Sequence, residues 1–342
     1  MAAQATAPKK ITLALQGGGS HGAFTWGVLE TLLAEERVEI EGISGTSAGA
    51  MNATVLAEGL MQDGRQGALD ALERFWARVS KVGRFAPLVR TPLDIVADRW
   101  NMEVQPGYLL FDLISRFWSP YQFNPLNFNP LLEILDTEVD FELVRGCDRV
   151  QLFISATNVA TGKIRVFRNA ELSSKAVMAS ACLPHVFQAV EIDGQPYWDG
   201  GYMGNPAIYP LIYNCKSSDV LIVQINPIER HQEPTTTPEI LDRLNEITFN
   251  ATLMREMRAI HFVGKLLAHH EVDPSQYKQV LLHRVDVPEE MRELGAASKM
   301  NADWSFLTHL RDLGRDSAKV WLAQHYDDLG ERTSIDLESD YL

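Results

Sequence analysis

The chain opens with a short apolar run, Ile11 to Gln16, that stops at three consecutive glycines, Gly17, Gly18 and Gly19. A run of that length bounded by glycine reads as a buried strand. From Ala23 the period changes, and Phe24, Val28, Leu29, Leu32 and Leu33 fall on one helical face. Val38 to Ile43 reads as a second strand, Ser44 to Ser47 as a tight turn and Ala48 to Leu60 as a second helix. Two strand-loop-helix units at the start of the chain predict a parallel sheet with helices on its faces. Strand patterns return at Gln151 to Ala156, with a hairpin turn at Ala160 to Lys163. A helix at Ser173 to Ala181 follows. A second hairpin then pairs Gln188 to Ile192 with Gln195 to Trp198 around Asp193-Gly194. Asp219 to Ile225 is another buried strand.

Beyond that strand the pattern turns helical. His231 to Pro238 is a polar linker. Ile240, Leu244, Ile247, Ala251 and Met254 then recur at spacings of 4, 3, 4 and 3. Such a stripe reads as core or a dimer seam before it reads as a membrane face. Trp304 to Leu322 is a further helix, and the acidic tail from Gly330 reads as loose. Between Pro87 and Pro130 lie six prolines and eight aromatic residues, a density that breaks regular elements and suggests a cap over the sheet. The expected architecture is α/β: a three-layer α/β/α domain with a mainly parallel central sheet, an aromatic-rich cap and C-terminal helices. Residues 8–230 are expected as the catalytic domain, with a cap insertion at about 84–130. Residues 238–330 are expected as a helical region packed on it.

Composition narrows the functional classes. The chain has 342 residues, 46% hydrophobic, enough for a large core. No apolar run approaches the roughly 18 residues of a membrane-spanning helix. With 31 basic and 45 acidic side chains the net charge is −14, which disfavours nucleic-acid binding by bulk charge. Anionic membranes would attract it only through a local patch. Cys147, Cys182 and Cys215 match neither a disulfide framework nor a zinc pattern and read as core thiols. Met1 to Lys10 lacks the apolar segment of a secretory signal, so a cytoplasmic location is expected.

Three segments can do chemistry. Gly45 to Gly49 is a G-x-S-x-G elbow centred on Ser47, between an apolar strand and a helix. A sharp turn there holds the serine hydroxyl exposed at the end of the sheet, ahead of a helix N-terminus that favours developing negative charge. Gly17 to Gly19 can bring backbone N–H groups close to an anion, as an oxyanion hole requires. The same stretch fits G-x-G-x-x-G through Gly22, a dinucleotide fingerprint, but lacks the G-K-[ST] ending of a phosphate loop. Asp199-Gly200-Gly201 ends the second hairpin, and a carboxylate carried from there to Ser47 could act directly as its base. By itself Asp-Gly-Gly is an ordinary turn.

Together the three segments resemble the patatin-like phospholipases, lipid acyl hydrolases with a Ser-Asp dyad. The glycine-rich stretch, G-T-S-A-G and D-G-G occur in that family's order. Ala179 to Phe187 also resembles its A-S-x-x-x-P-x-x-F stretch. The likeness covers about residues 11–60 and 150–225. It implies that Ser47 attacks an ester carbonyl and Asp199 takes its proton. The N–H groups of Gly17, Gly18 and Gly19, with that of Ala48, would hold the oxyanion. It requires no metal or organic cofactor, and it implies a lipid or other acyl-ester substrate. One departure stands out: the family usually has Arg or Lys near the end of the glycine loop, where this chain has His21. His21 is therefore a candidate brace of the loop and a source of pH dependence, charged part of the time near neutrality. An acyl thioesterase or acyltransferase could use the same site, and a non-catalytic lipid-binding protein could keep the fold. Peripheral membrane contact and self-association are both compatible with the sequence.

Overall fold

The computed structural model describes residues 7–83, 100, 118–230 and 233–342. Eight strands form one sheet: β1 (Lys9–Leu15), β2 (Val38–Gly45), β3 (Gln151–Asn158), β4 (Ile164–Arg168), β5 (Val190–Ile192), β6 (Gln195–Asp199), β7 (Asp219–Gln224) and β8 (Leu281–Asp286). The helices α1 (Gly22–Ala34) and α2 (Ala48–Gly83) follow the first two strands. Three short helices precede β3: α3 (Pro120–Phe123), α4 (Pro130–Glu138) and α5 (Phe141–Arg145). Then come α6 (Ser174–Ser180), α7 (Tyr209–Asn214), α8 (Thr237–Ala268), α9 (Glu289–Arg292), α10 (Trp304–His325) and α11 (Leu337–Tyr341). Non-helical Asp63 and Gly64 break α2 in two.

Alternate residues of the same strands enter two different cores, as the two-residue period of a strand requires. Leu13 and Leu15 of β1 and Leu221 and Val223 of β7 face a core closed by α1, α2, α6 and α10. Ala14, Val220 and Ile222 face a second core closed by α7, by Leu253 and Met257 of α8, and by Tyr341 of α11. A sheet covered on both faces is the three-layer arrangement expected from the sequence.

The strand order is β5-β6-β3-β2-β1-β7-β8, with β4 also beside β3. The central pairs β3–β2, β2–β1, β1–β7 and β7–β8 are parallel, and β3–β4, β3–β6 and β5–β6 are antiparallel. The chain leaves β1 for β2 on one side and later returns on the other side as β7. The crevice beyond the carboxyl end of β1 is therefore a topological switch point, where open α/β sheets bind ligands. Residues Gln16 to Gly19 occupy it.

Both predicted hairpins are present. The second turns through Asp193 and Gly194, with φ of 51° and 71°, the twist a two-residue hairpin turn needs.

Three expectations need correction. The region beyond 238 is not wholly helical, because Leu281–Asp286 adds a parallel edge strand to β7. His283 and Arg284 interrupt its apolar pattern. His283 is nevertheless fully buried, with Nε2 2.9 Å from Asp219 Oδ1 and Nδ1 3.0 Å from Ser334 Oγ.

Nor is the tail from Gly330 loose. Ser334 N–H donates to the Leu282 carbonyl at 3.0 Å, and the buried Tyr341 hydroxyl donates to Gln224 Oε1 at 2.7 Å.

The stripe on α8 divides: Met254 packs against the second core, whereas its first three members do not enter a core. Ile240, Leu244 and Ile247 are 43%, 53% and 51% exposed. The buried face is instead Glu246, Asn250, Leu253 and Met257, whose first two members are polar and invisible to an apolar count.

The proposed aromatic cap lies mostly outside the described residues. Of its members, Trp100 stacks on Phe306 and His309 of α10, while Trp118, Tyr121 and Phe128 are exposed.

Candidate active site

Ser47 follows β2 and immediately precedes α2. Its φ of 54° is the left-handed conformation expected of a nucleophile elbow, at a cost of about 1–2 kcal/mol for a residue with a Cβ. Neighbouring bonds hold it there. Ser47 N–H donates to Ser180 Oγ at 2.9 Å, and the Thr46 hydroxyl donates to the Gly204 carbonyl at 2.6 Å. The serine is half-buried.

Asp199 reaches this point through the edge of β3. On that strand Ile154 pairs with Gly45 of β2 and Ala156 pairs with Asp199 of β6. Because β4 occupies the other edge along 153–157, β2 and β6 share one edge. Gly45 and Asp199 therefore stand two residues apart along β3, about 7 Å at strand rise. The sharp turn after Gly45 brings Ser47 back over Asp199, close enough for the serine side chain to favour the charged carboxylate. Asp199 N–H donates to the Cys182 carbonyl at 2.8 Å, and Asp199 Oδ1 accepts the Gly201 N–H at 2.7 Å.

Only 2% of Asp199 is exposed. Burial raises its pKa to about 7, against the bonds from Gly201 N–H and the Ser47 side chain that favour its charged form. A carboxyl poised near neutrality is suited to take and return a proton.

The glycine loop packs directly on Ser47. A Cβ at Gly17 would lie 2.7 Å from Ser47 Cβ, so no larger residue fits without displacing the serine. Gly17 is not available as an oxyanion donor, however. Its N–H donates to Asn205 Oδ1 at 2.7 Å, and its carbonyl accepts from Asn226 Nδ2 at 2.7 Å. Among the described residues the N–H groups of Gly18, Gly19 and Ala48 have no partner. The N–H groups left free to meet an anion are therefore these three, without Gly17. Gly19 is held at φ 59° with the Lys299 carbonyl too close to leave room for a Cβ.

His21 corrects a second expectation. It is buried, and its Nε2 lies 2.7 Å from Ser298 Oγ. The Ser298 hydroxyl donates its one proton to the Gly295 carbonyl at 2.7 Å, so His21 Nε2–H must be the donor to Ser298. Burial, and then the charges of Lys299 and Arg230, hold the His21 pKa well below its ordinary value. The ring ties the loop to the 295–300 segment as a neutral imidazole and is not a part-time cation.

No histidine among the described residues is bonded to Ser47 or Asp199. His185 is exposed, and His283 is bonded to Asp219 at the opposite, amino end of β7.

A buried polar network behind the loop escaped the sequence reading. Gln16 Oε1 accepts the N–H groups of Ile225 and Asn226, both at 2.9 Å, while Gln16 Nε2 donates to Asn205 O and Asn250 Oδ1, both at 3.3 Å. Ser180 had a signal, since it stands inside the Ala179–Phe187 stretch. Gln16, Asn205, Asn226 and Asn250 come from four separate segments with no shared pattern.

A search of curated proteins gives no significant match. Among solved structures, the chain resembles VipD from Legionella pneumophila at 15% identity and a TM-score of 0.47, over 94% of this chain and 68% of that one. It resembles ExoU, in its complex with SpcU from Pseudomonas aeruginosa, at 16% identity and a TM-score of 0.38, over 94% of this chain and 53% of that one. The chain thus spans about half the length of ExoU. The family described as patatin-like phospholipase matches residues 13–212, which include the glycine loop, the serine elbow and the Asp199 turn, and the chain belongs to that family.

Proposed function

We propose that the protein is a serine acyl hydrolase acting on lipid esters through a Ser47–Asp199 dyad. The observation that carries this reading is the buried Asp199 carboxyl, poised near pH 7 and set beside a serine in the strained conformation of a nucleophile elbow. In the first step Ser47 Oγ attacks the ester carbonyl carbon while its proton passes to Asp199. The carbonyl oxygen becomes an oxyanion held by the N–H groups of Gly18, Gly19 and Ala48. The carbon–oxygen bond to the alcohol then breaks, and Asp199 returns its proton to that oxygen. In the second step Asp199 takes a proton from water, whose oxygen attacks the acyl carbon. Collapse releases the acid and reprotonates Ser47.

Residues 8–230 hold the reacting groups in this scheme, and residues 238–330 hold supports such as Asn250 and Lys299. In the described residues no helix is long and apolar enough to cross a membrane.

Fluorophosphonate labelling read by intact mass tests the reading. One adduct on the parent, absent in Ser47→Ala and much slowed in Asp199→Asn, is the expected result. A folded parent that takes no adduct and hydrolyses no ester would falsify it.

A further inference from the structure

Lys299 lies on the short turn at 296–300 that covers the glycine loop. Its ammonium group donates to Asn226 Oδ1 at 2.8 Å. The neighbouring Arg230 and Arg243 share the Glu246 carboxylate, but among the described residues Lys299 has no carboxylate at ion-pairing distance. Burial pulls its pKa down. A cation taken from water is costly, and the charges of Glu246 and Asp242 offset part of that cost from beyond ion-pairing distance.

What it faces explains the placement. The orientation of the Asn226 amide follows from its partners: the oxygen meets the ammonium, and Nδ2 donates to the Gly17 carbonyl at 2.7 Å and to Gln16 Oε1 at 3.2 Å. The Gly17 carbonyl and the Gly18 N–H belong to one planar trans peptide and point in opposite directions. Pinning the carbonyl to Asn226 therefore aims the Gly18 N–H away from Asn226, on the side of the peptide left free for an anion. Hydrogen bonds in series polarise one another, so a cation at one end strengthens the donor at the other.

We infer that Lys299 is a positioning residue for acyl transfer: through Asn226 and the Gly17–Gly18 peptide it orients and polarises the Gly18 N–H as an oxyanion donor. The inference rests on the acyl-hydrolase reading above. It gives the glycine loop a cation from a residue far along the chain, in place of one within the loop itself. His21 beside it stays neutral, and the Lys299 carbonyl covers Gly19.

The test compares Lys299→Gln, Lys299→Met and Lys299→Arg with the parent. Three quantities are read: kcat/KM on a soluble p-nitrophenyl ester, Ki for a matched trifluoromethyl ketone, and Ki for the corresponding methyl ketone. The trifluoromethyl ketone adds Ser47 and acquires an oxyanion, while the methyl ketone only fills the pocket. A direct oxyanion donor is worth about 100- to 1000-fold, and a residue acting one step behind it should be worth about tenfold. The expected result for Lys299→Gln and Lys299→Met is a loss of about tenfold in kcat/KM, matched by the same rise in Ki for the trifluoromethyl ketone. The methyl ketone should bind as before, and Lys299→Arg should stay close to the parent.

Lys299→Gln keeps a donor for Asn226, so it decides the matter if Lys299→Met does not fold. Parental Ki values in a folded Lys299→Gln would overturn the inference. So would equal weakening of both ketones, or a loss in Lys299→Arg as large as in Lys299→Gln. A parent that takes neither fluorophosphonate nor trifluoromethyl ketone fails the acyl-hydrolase reading itself, a result distinct from these.

Discussion

Asp199 illustrates how burial sets both reactivity and stability at a single residue. Its folded pKa is raised to about 7, so the base form needed for attack is lost below that value. The rate kcat/KM should rise with pH and level off above about 7. His21→Gln, which keeps a donor to Ser298, should leave that midpoint unmoved, because the imidazole is already neutral. A pH–rate profile of the two proteins checks both statements. The stability effect has the opposite sign. Between about 4 and 7 the folded carboxyl holds a proton that the unfolded chain has released, so stability falls as pH rises through that window and is flat above it. Asp199→Asn should abolish most activity yet unfold at a higher temperature than the parent at pH 8. The gap should correspond to about 2–4 kcal/mol and close towards pH 4. Thermal unfolding at the two pH values measures it. Ser180→Ala frees the Ser47 N–H at the elbow and should slow fluorophosphonate labelling about tenfold with little change in melting temperature.

At the scale of elements, α8 separates apolar pattern from function. Its exposed row Ile240, Leu244 and Ile247 follows helical spacing, yet the helix is held by its adjacent row. In that row Glu246 pairs with Arg230 and Arg243, Asn250 joins Gln16, and Leu253 and Met257 fill the second core. Leu253→Ala should therefore cost about 2–5 kcal/mol, and Leu244→Ala should change stability by no more than about 0.5 kcal/mol. Urea denaturation of the pair distinguishes the two faces. Periodicity identified the helix, but the core reading of its stripe holds only towards Met254. Two of the four anchoring residues are polar, and a hydrophobic count gives such residues no weight.

Across the whole molecule, the C-terminal quarter completes the sheet, the second core and the support of the glycine loop. The β8 strand, the tail beside it and Tyr341 close one edge, while the 295–300 segment reaches the carboxyl ends of the strands. Ending the chain at Gly330 should remove the bonds to Leu282 and the buried Tyr341. It should lower the urea midpoint by an amount equivalent to about 2–4 kcal/mol, since one large aromatic side chain alone contributes on that scale.

All the strands but β8, both hairpins, the elbow and the glycine loop were legible from residue order, because turn chemistry, periodicity and glycine content act over a few neighbouring residues. Tertiary structure alone decided that β6 continues the edge vacated by β2 and so brings Asp199 to Ser47. It also decided that Gly17 spends its N–H on Asn205, and that Lys299 stands behind Asn226. Each of these joins residues far apart in the chain, and their meeting depends on how strands share edges and where buried polar groups find partners. Local pattern carries no record of either.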